Sequence, residues 1–328
     1  VRLARAARAA APVTDSDAAA ARPRSGAARN PARIDVVIPA RDEARRIGPS
    51  IEALRGAADV RSVIVVDDQS SDATAIVAER AGATVVTGRP LPPGWAGKAW
   101  AVQQGVEASE AEWIVTLDAD TRADAALPAA VVARAETDGF DFLTVGGRFE
   151  CPTAPTRWLH ASMLTTLVYR FGPPGVAAAP HRAMANGQCM TFRRKAFLGQ
   201  GGMSGVRGEV VEDVALARRL AGRGWSVGFL DASTLLRVRM FESLRDTWSG
   251  WGRSIALPGV EPEFRQMIDL VVVALAQAAP IPRLLLGRGD VLDVVLLTLR
   301  LGTLAGTRAA YDRTDLAYWS SPFADVIS

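Results

Sequence analysis

The sequence predicts an α/β protein whose central sheet is mostly parallel and covered by helices on both faces, followed by apolar helices toward the C-terminus. Three observations carry this. From Ile34 onward, short β-rich runs alternate with helix-like stretches. Those runs are apolar at consecutive positions, which places them in a sheet buried on both sides. Beyond Glu261 the composition turns apolar over helix-length stretches. With 328 residues, 49% hydrophobic and 22% charged, the chain has enough apolar side chains for one large domain or two ordinary ones, and wholesale disorder is excluded.

In chain order, residues 1–33 are Ala- and Arg-rich without hydrophobic period and lack a long apolar secretory core, so they read as a disordered tail. The first residue, Val1, suggests a non-ATG start codon. The tail holds seven Arg and two Asp, a balance of +5 against a total of +3, leaving −2 for the remainder. A surface built throughout for nucleic acid is thereby excluded. Strands are expected at 34–38, 63–66, 84–86 and 113–117, with helices through Ile51 and Leu54, over 73–81 and over 99–108. Cys151 and Cys189 sit in no CxxC pair and cannot form a disulfide framework, which fits a reducing compartment. Lys98 and Lys195 are the only lysines.

Parallel sheets bind ligands beyond the carboxyl ends of their strands, so the residues following each strand are informative. The first strand leads into Pro39-Ala40-Arg41-Asp42-Glu43, the second into Asp67-Asp68-Gln69-Ser70-Ser71-Asp72 and the fourth into Asp118-Ala119-Asp120. Any one Asp here is an ordinary turn or helix-capping residue. Three acidic strand ends on one rim share a reason if a hard divalent cation, Mg²⁺ or Mn²⁺, sits there with a nucleotide diphosphate. A dinucleotide-binding GxGxxG is absent after the first strand, where no glycine occurs before Gly48, and Gly97-Lys98-Ala99 lacks the remainder of a P-loop.

The segments VVIPARDEARRI, VIVVDDQSSDAT, GWAGKAWAVQQG, WIVTLDAD and EVVEDVALARRL occur in an order and spacing that resemble the family 2 glycosyltransferases of GT-A fold, over about Ile34 to Arg253. LPPGWAGKAWAVQQG and AYWSSPFAD look most like the branch that includes carotenoid- and hopanoid-associated enzymes. The resemblance implies that Asp68 reads the uracil of a nucleotide-sugar donor while Pro39, Arg41 and Glu43 line the nucleoside pocket. It implies that Asp118 and Asp120 bracket metal and sugar diphosphate, with Asp120 as direct ligand, and that Asp213 is the general base with Glu212 beside it. Lys98 reads either as a point charge toward phosphate or base, or as a solvated surface lysine. Glu212 and Asp213 also suit the first turn of a helix. Asn186-Gly187-Gln188-Cys189 and His181 are further candidates for contact with sugar or acceptor, and Arg237, Arg239 and Arg253 for phosphate. Trp248-Ser249-Gly250-Trp251-Gly252-Arg253 replaces the Gln-x-x-Arg-Trp element of processive members, which implies transfer of a single sugar.

The expected organisation is a tail over 1–33, a GT-A domain over 34–260 and a membrane-associated helical region over 261–328. Within the last, 267–282 and 291–307 are marginal as spans because Asp269, Asp293 and Arg300 interrupt them. Arg300 is expected to snorkel to the headgroups, beside Arg283, Arg288, Arg308 and Arg313. The expectation is an inverting, metal-dependent enzyme at the cytoplasmic face of the membrane, with a lipid-soluble acceptor such as a carotenoid and no nucleic-acid partner. A polyprenyl-phosphate glycosyltransferase, a nucleotidyltransferase with a similar sheet and a catalytically dead interaction module are the competing readings.

Overall fold

The computed structural model describes residues 10–20, 33–255 and 257–327, apart from the side chains of Arg253 and Ser254. Among these residues ten strands occur: β1 (Ile34–Ala40), β2 (Val60–Asp67), β3 (Thr84–Thr87), β4 (Trp113–Leu117), β5 (Thr121–Ala123), β6 (Phe142–Gly146), β7 (Arg148–Phe149), β8 (Cys189–Arg193), β9 (Val227–Asp231) and β10 (Leu236–Val238). The chain divides into two compact units, one holding the described parts of 8–147 and 174–238, the other those of 148–173 and 239–328.

The first unit is built on a seven-stranded sheet of order β3-β2-β1-β4-β8-β6-β9. β8 alone runs against its neighbours, antiparallel to both β4 and β6. The remaining pairs are parallel. All five residues of β4 are buried, as are the first five of β1, because helices cover both faces. Helix Gly97–Ala108 lays Val102 and Val106 into a core with Val37, Val66, Ile114 and Phe192. The sheet, its parallel pairing and the expected helices are therefore present, with the first helix, Ile47–Glu52, stopping short of Leu54.

This topology brings the ends of β1, β2 and β4 to one rim. The reversal of β8 sends its entry to the same place, since Cys189 pairs with Leu117. Residues 10–20, inside the stretch expected to be a tail, are ordered here. Val13 is fully buried and donates its N–H to Asp231 O at 2.7 Å, and helix Asp15–Ala20 buries Ala18 against helix Leu127–Asp138. Two isolated apolar residues leave no periodic signal, so the sequence did not show this. Residues 1–9 and 21–32 of the expected tail lie outside the described residues.

The second unit is helical. Helix Ala154–Phe171 is joined by helices Leu244–Ile255, Glu263–Val273, Pro280–Leu285 and Val291–Thr307, and β7 forms a bridge to Tyr311. Glu263–Leu285 runs as 23 continuous residues whose most apolar 18-residue stretch has mean hydropathy 1.6 and is 17% buried, long and apolar enough to cross a membrane. Val291–Thr307 begins with a capping box in which Asp290 and Asp293 each accept from the other's backbone N–H. Arg300 departs from expectation. Its side chain is 2% exposed and pairs with Asp325, also 2% exposed, at 2.6 Å, so it is an interior ion pair and does not snorkel.

Candidate active site

The rim loops of β1 and β2 interlock through their acids. Asp42 Oδ1 accepts from the Ser71 N–H at 2.7 Å, and Asp42 N donates to Ser70 Oγ at 3.0 Å. Asp72 Oδ1 accepts from Thr74 N at 2.9 Å and Oδ2 from Ala44 N at 3.2 Å. Asp42 and Gln69 hold positive φ, at 56° and 57°. These acids brace the loops and are spent. Asp68 is buried and accepts none of these bonds. Its carboxyl is pushed above the ordinary value, by burial first and by neighbouring Asp67, with Arg41 opposing. A Cβ on Gly97 would lie 2.9 Å from Asp68 Oδ2, so the glycine lets the helix carrying Lys98 start against this carboxylate.

The loop after β4 is pinned from two sides. Thr121 Oγ1 donates to the Asp118 carbonyl at 2.7 Å, and Ser50 Oγ to the Thr121 carbonyl at 2.7 Å. Lys98 Nζ, one residue into helix Gly97–Ala108, lies 2.8 Å from Asp118 Oδ1 and 3.4 Å from Glu212 Oε1. Burial pulls the ammonium's pKa down, but Asp118, Glu212 and Asp213 outweigh it and hold the group firmly charged. Lys98 is thus no solvated surface lysine: it ties the strand-end acids to the Glu212–Asp213 pair.

Asp120 has a different environment. Its Oδ1 is buried with no hydrogen-bond partner among the described residues. Burial, then Asp118, pushes the carboxyl up to about 7, against Lys98 and Arg46. Arg46 also pairs with Glu43 at 3.2 Å. Glu43 is itself raised, by burial before the opposing Arg46 and the neighbouring Asp118. Sequence reasoning passed over Arg46; its signal was the Arg-rich run after Glu43.

Glu212 and Asp213 open helix Glu212–Gly222, as first-turn acids do. Asp213 Oδ2 accepts from the Gly187 N–H at 2.7 Å and Oδ1 from the Val214 N–H at 2.8 Å. Burial and Glu212 nevertheless push this carboxyl up to about 6, against Lys98 and the two N–H donors. Gly187 is held in turn. Asn186 and Gln188 bond each other, Nδ2 to Oε1 at 2.9 Å, and the Gln188 carbonyl accepts from Asp118 N at 3.2 Å. A Cβ at position 187 would sit 3.1 Å from Lys98 Nζ and 3.4 Å from Asp213 Oδ2. Of residues 186–188, expected to touch sugar or acceptor, Gly187 holds the Asp213 carboxylate and its two neighbours hold Gly187.

The structure therefore gathers Glu43, Asp68, Lys98, Asp118, Asp120, Glu212 and Asp213 at one rim. Pro39 sits half-buried at the end of β1 opposite Val66, and Arg41 is exposed beside Asp68. Cys189 is buried and its thiol is pushed up to about 12, by burial first. His181 lies exposed on the short turn Pro180–Arg182. Arg239 pairs with Glu242 at 2.9 Å, and Arg237 faces Arg122 across the β5–β10 pair. Arg253 falls on helix Leu244–Ile255, but its side chain lies outside the described residues.

Among the described residues no three His, Cys, Asp or Glu side chains converge as a cation cage. The donor set instead matches a hard cation that takes one or two carboxylates and completes its shell with phosphate and water. The partnerless oxygen of Asp120, beside Asp118, fits that role.

Residues 35–199, just over half of the chain, match Glycosyl transferase family 2. The chain belongs to this family. Membership favours sugar transfer over the nucleotidyltransferase reading. A 4,4'-diaponeurosporenoate glycosyltransferase of Staphylococcus haemolyticus (strain JCSC1435) is 23% identical over 248 residues, covering 73% of this chain and 66% of the relative. The Staphylococcus aureus (strain MRSA252) protein of the same name is 40% identical over 88 residues, 26% of this chain and 24% of its own. The chain thus spans just under two thirds of the first relative and about a quarter of the second. In fold it is similar to a crystal structure described as a mycobacterial protein, with TM-score 0.50 and 23% identity over 76% of this chain and 80% of that one. It is similar also to glucosyl-3-phosphoglycerate synthase from Mycobacterium tuberculosis in complex with Mn²⁺, UDP and phosphoglyceric acid, with TM-score 0.50 and 20% identity over 77% and 86%. The fold is GT-A.

Proposed function

We propose that this glycosyltransferase moves a single sugar from a UDP-sugar, with inversion, to a lipid-soluble acceptor such as a carotenoid or another isoprenoid, at the cytoplasmic face of a membrane. The observation that carries the reading is the line of acids around Lys98, which sets the Asp118–Asp120 strand end on one side and Asp213 on the other. Asp68, with Arg41, Glu43 and Pro39, forms the nucleoside end. Asp118 and Asp120 would hold a divalent cation, Mg²⁺ or Mn²⁺; when bound, it neutralises the diphosphate leaving group as charge grows there. The diphosphate would otherwise be repelled by the carboxylates clustered at the rim.

Asp213 performs the proton step. Fixed by the Gly187 and Val214 N–H groups, it takes the proton from an acceptor hydroxyl while the acceptor oxygen forms its bond to the anomeric carbon. The bond from that carbon to the nucleotide oxygen breaks, and its electron pair leaves on the diphosphate. A carboxyl raised to about 6 is a stronger base than an ordinary one and is still ionised at neutral pH. The name of the staphylococcal relatives denotes a carboxylate acceptor, and the long apolar helix Glu263–Leu285 suits a membrane setting; both support a lipid-phase acceptor.

The test is to incubate membranes carrying the full chain with a panel of nucleotide sugars and lipid extracts, then identify products by mass spectrometry. A hexosylated lipid formed from a UDP-sugar, and lost in excess chelator, is the expected result. Full activity in chelator would remove the metal from the mechanism, and transfer only to water-soluble acceptors would remove the lipid.

A further inference from the structure

The helical unit has its polarity reversed relative to a protein dissolved in water. On its two most apolar helices the outward positions are hydrocarbon: Met267, Leu270, Val271, Leu275, Val294 and Val295 are 47% to 63% exposed. Asp269, Gln277, Asp293 and Arg300 turn inward and each has a partner, with Arg283 lying exposed at the end of its helix and Gln277 Nε2 and Arg300 Nη1 buried without a hydrogen bond among the described residues. Asp269 pairs with Arg170 at 3.0 Å, and Gln277 Oε1 accepts from Thr166 Oγ1 at 2.8 Å. Asp293 pairs with Arg283 at 2.9 Å, and Arg300 with Asp325 at 2.6 Å.

Helix Ala154–Phe171 supplies two of these four partners and reaches Arg300 through Asp325. Along it Arg157 meets Asp315 at 3.0 Å, His160 Nδ1 meets Tyr311 OH at 2.7 Å, Ser162 donates to Asp325 at 2.6 Å, and Thr166 and Arg170 take the partners just named. A surface helix in water does the opposite, burying its apolar stripe and leaving its charges out. Soluble monomers seldom expose contiguous apolar patches above a few hundred Å². In hydrocarbon no hydrophobic force joins helices, so polar contacts fix their register, and ionisable groups face the bundle interior in pairs.

We infer that helices Glu263–Leu285 and Val291–Thr307 enter the hydrocarbon of a lipid bilayer side by side as a hairpin, held in register there by the polar stripe of helix Ala154–Phe171. Lengths agree. At 1.5 Å per residue, 23 and 17 residues give about 34 Å and about 25 Å, against roughly 30 Å of hydrocarbon. The bilayer setting rests on the reading above, but the polarity pattern stands without any assumption about sugar transfer.

The test uses the full chain with phosphatidylcholine–phosphatidylglycerol vesicles and reads flotation, so its failure leaves the glycosyltransferase assignment untouched. Wild type should remain vesicle-bound in about 1 M NaCl, where attraction between exposed charges is screened out. Leu270→Lys/Val294→Lys should lower the bound fraction about tenfold or more while UDP binding by calorimetry is kept. Ile76→Lys, an equally exposed apolar position on the sheet unit, should change nothing. If the double variant does not fold, Leu270→Trp replaces it, and its fluorescence should be quenched by lipids brominated on their acyl chains. Release of wild type by salt, absence of quenching, or a monodisperse detergent-free monomer or dimer would overturn the inference.

Discussion

Replacing Asp213 by Asn tests the proposed base and the folding energetics together. Asp213 has its carboxyl raised from 3.8 to about 6, chiefly by burial and then by Glu212. A carboxylate whose folded value is raised favours the fold when protonated, below about 3.8, and that stabilisation is lost as pH rises through about 6. At 1.36 kcal/mol per unit, holding the charge at pH 7.5 costs the folded state at most about 3 kcal/mol. Asn removes this cost but can satisfy only one of the N–H groups of Gly187 and Val214, losing about 1–3 kcal/mol. Urea denaturation at pH 4.5 and 7.5 should therefore show the stability of Asp213→Asn improving relative to wild type as pH rises, whatever its absolute value. In turnover measured by UDP release, the loss with a hydroxyl acceptor should be about 10²–10⁴-fold, with UDP affinity unchanged. With a carboxylate acceptor, already ionised at neutral pH, the loss should be far smaller. Wild-type activity toward a hydroxyl should fall below about pH 6 as Asp213 takes up a proton. Near-normal turnover of a hydroxyl acceptor by the variant would move the base elsewhere, with Glu212 next.

Gly187→Ala places a methyl group against Lys98 Nζ and Asp213 Oδ2, so turnover should drop about tenfold or more while circular dichroism and UDP binding stay near wild type. Lys98→Met leaves Asp118 and Glu212 without their shared cation; thermal shift should show a lower Tm and a larger rise on adding Mn²⁺ with UDP than in wild type. Arg300→Met leaves Asp325 buried without its guanidinium partner and should cost about 3–5 kcal/mol by thermal denaturation in detergent, most of it regained in Arg300→Met/Asp325→Leu.

The sheet was legible because β1 and β4 are apolar at nearly every position, which only a strand covered on both faces tolerates. The rim was legible because its acids recur after three strands. Which acids remain available was not, since Asp42 and Asp118 look alike in sequence. Their difference is that Asp42 accepts from Ser71 N while Asp118 faces Lys98, and both partners depend on loop geometry. The reversed direction of β8 leaves no trace in its composition, and with it the convergence of Gly187 on Asp213 was hidden. The charge of Arg300 was read as a tax on membrane insertion because Asp325, its partner, lies 25 residues further along the chain.

β6 and β8 are neighbours in the sheet, yet the chain between them leaves after Gly146 and returns at Cys189, with helix Ala154–Phe171 inside that excursion. Lengthening a connection costs little closure entropy, so such an excursion is free to grow, shrink or be exchanged. The rim residues Asp68, Lys98, Asp118 and Asp120 all precede it, and only its last residues, 186–188, return to them, through the Asp118 N–H bond to the Gln188 carbonyl. The architecture thus separates two inheritances: a rim of acids fixed by the sheet, and a helical stretch between Arg148 and Pro173 that can be refitted to new surroundings while the ends of the excursion stay put.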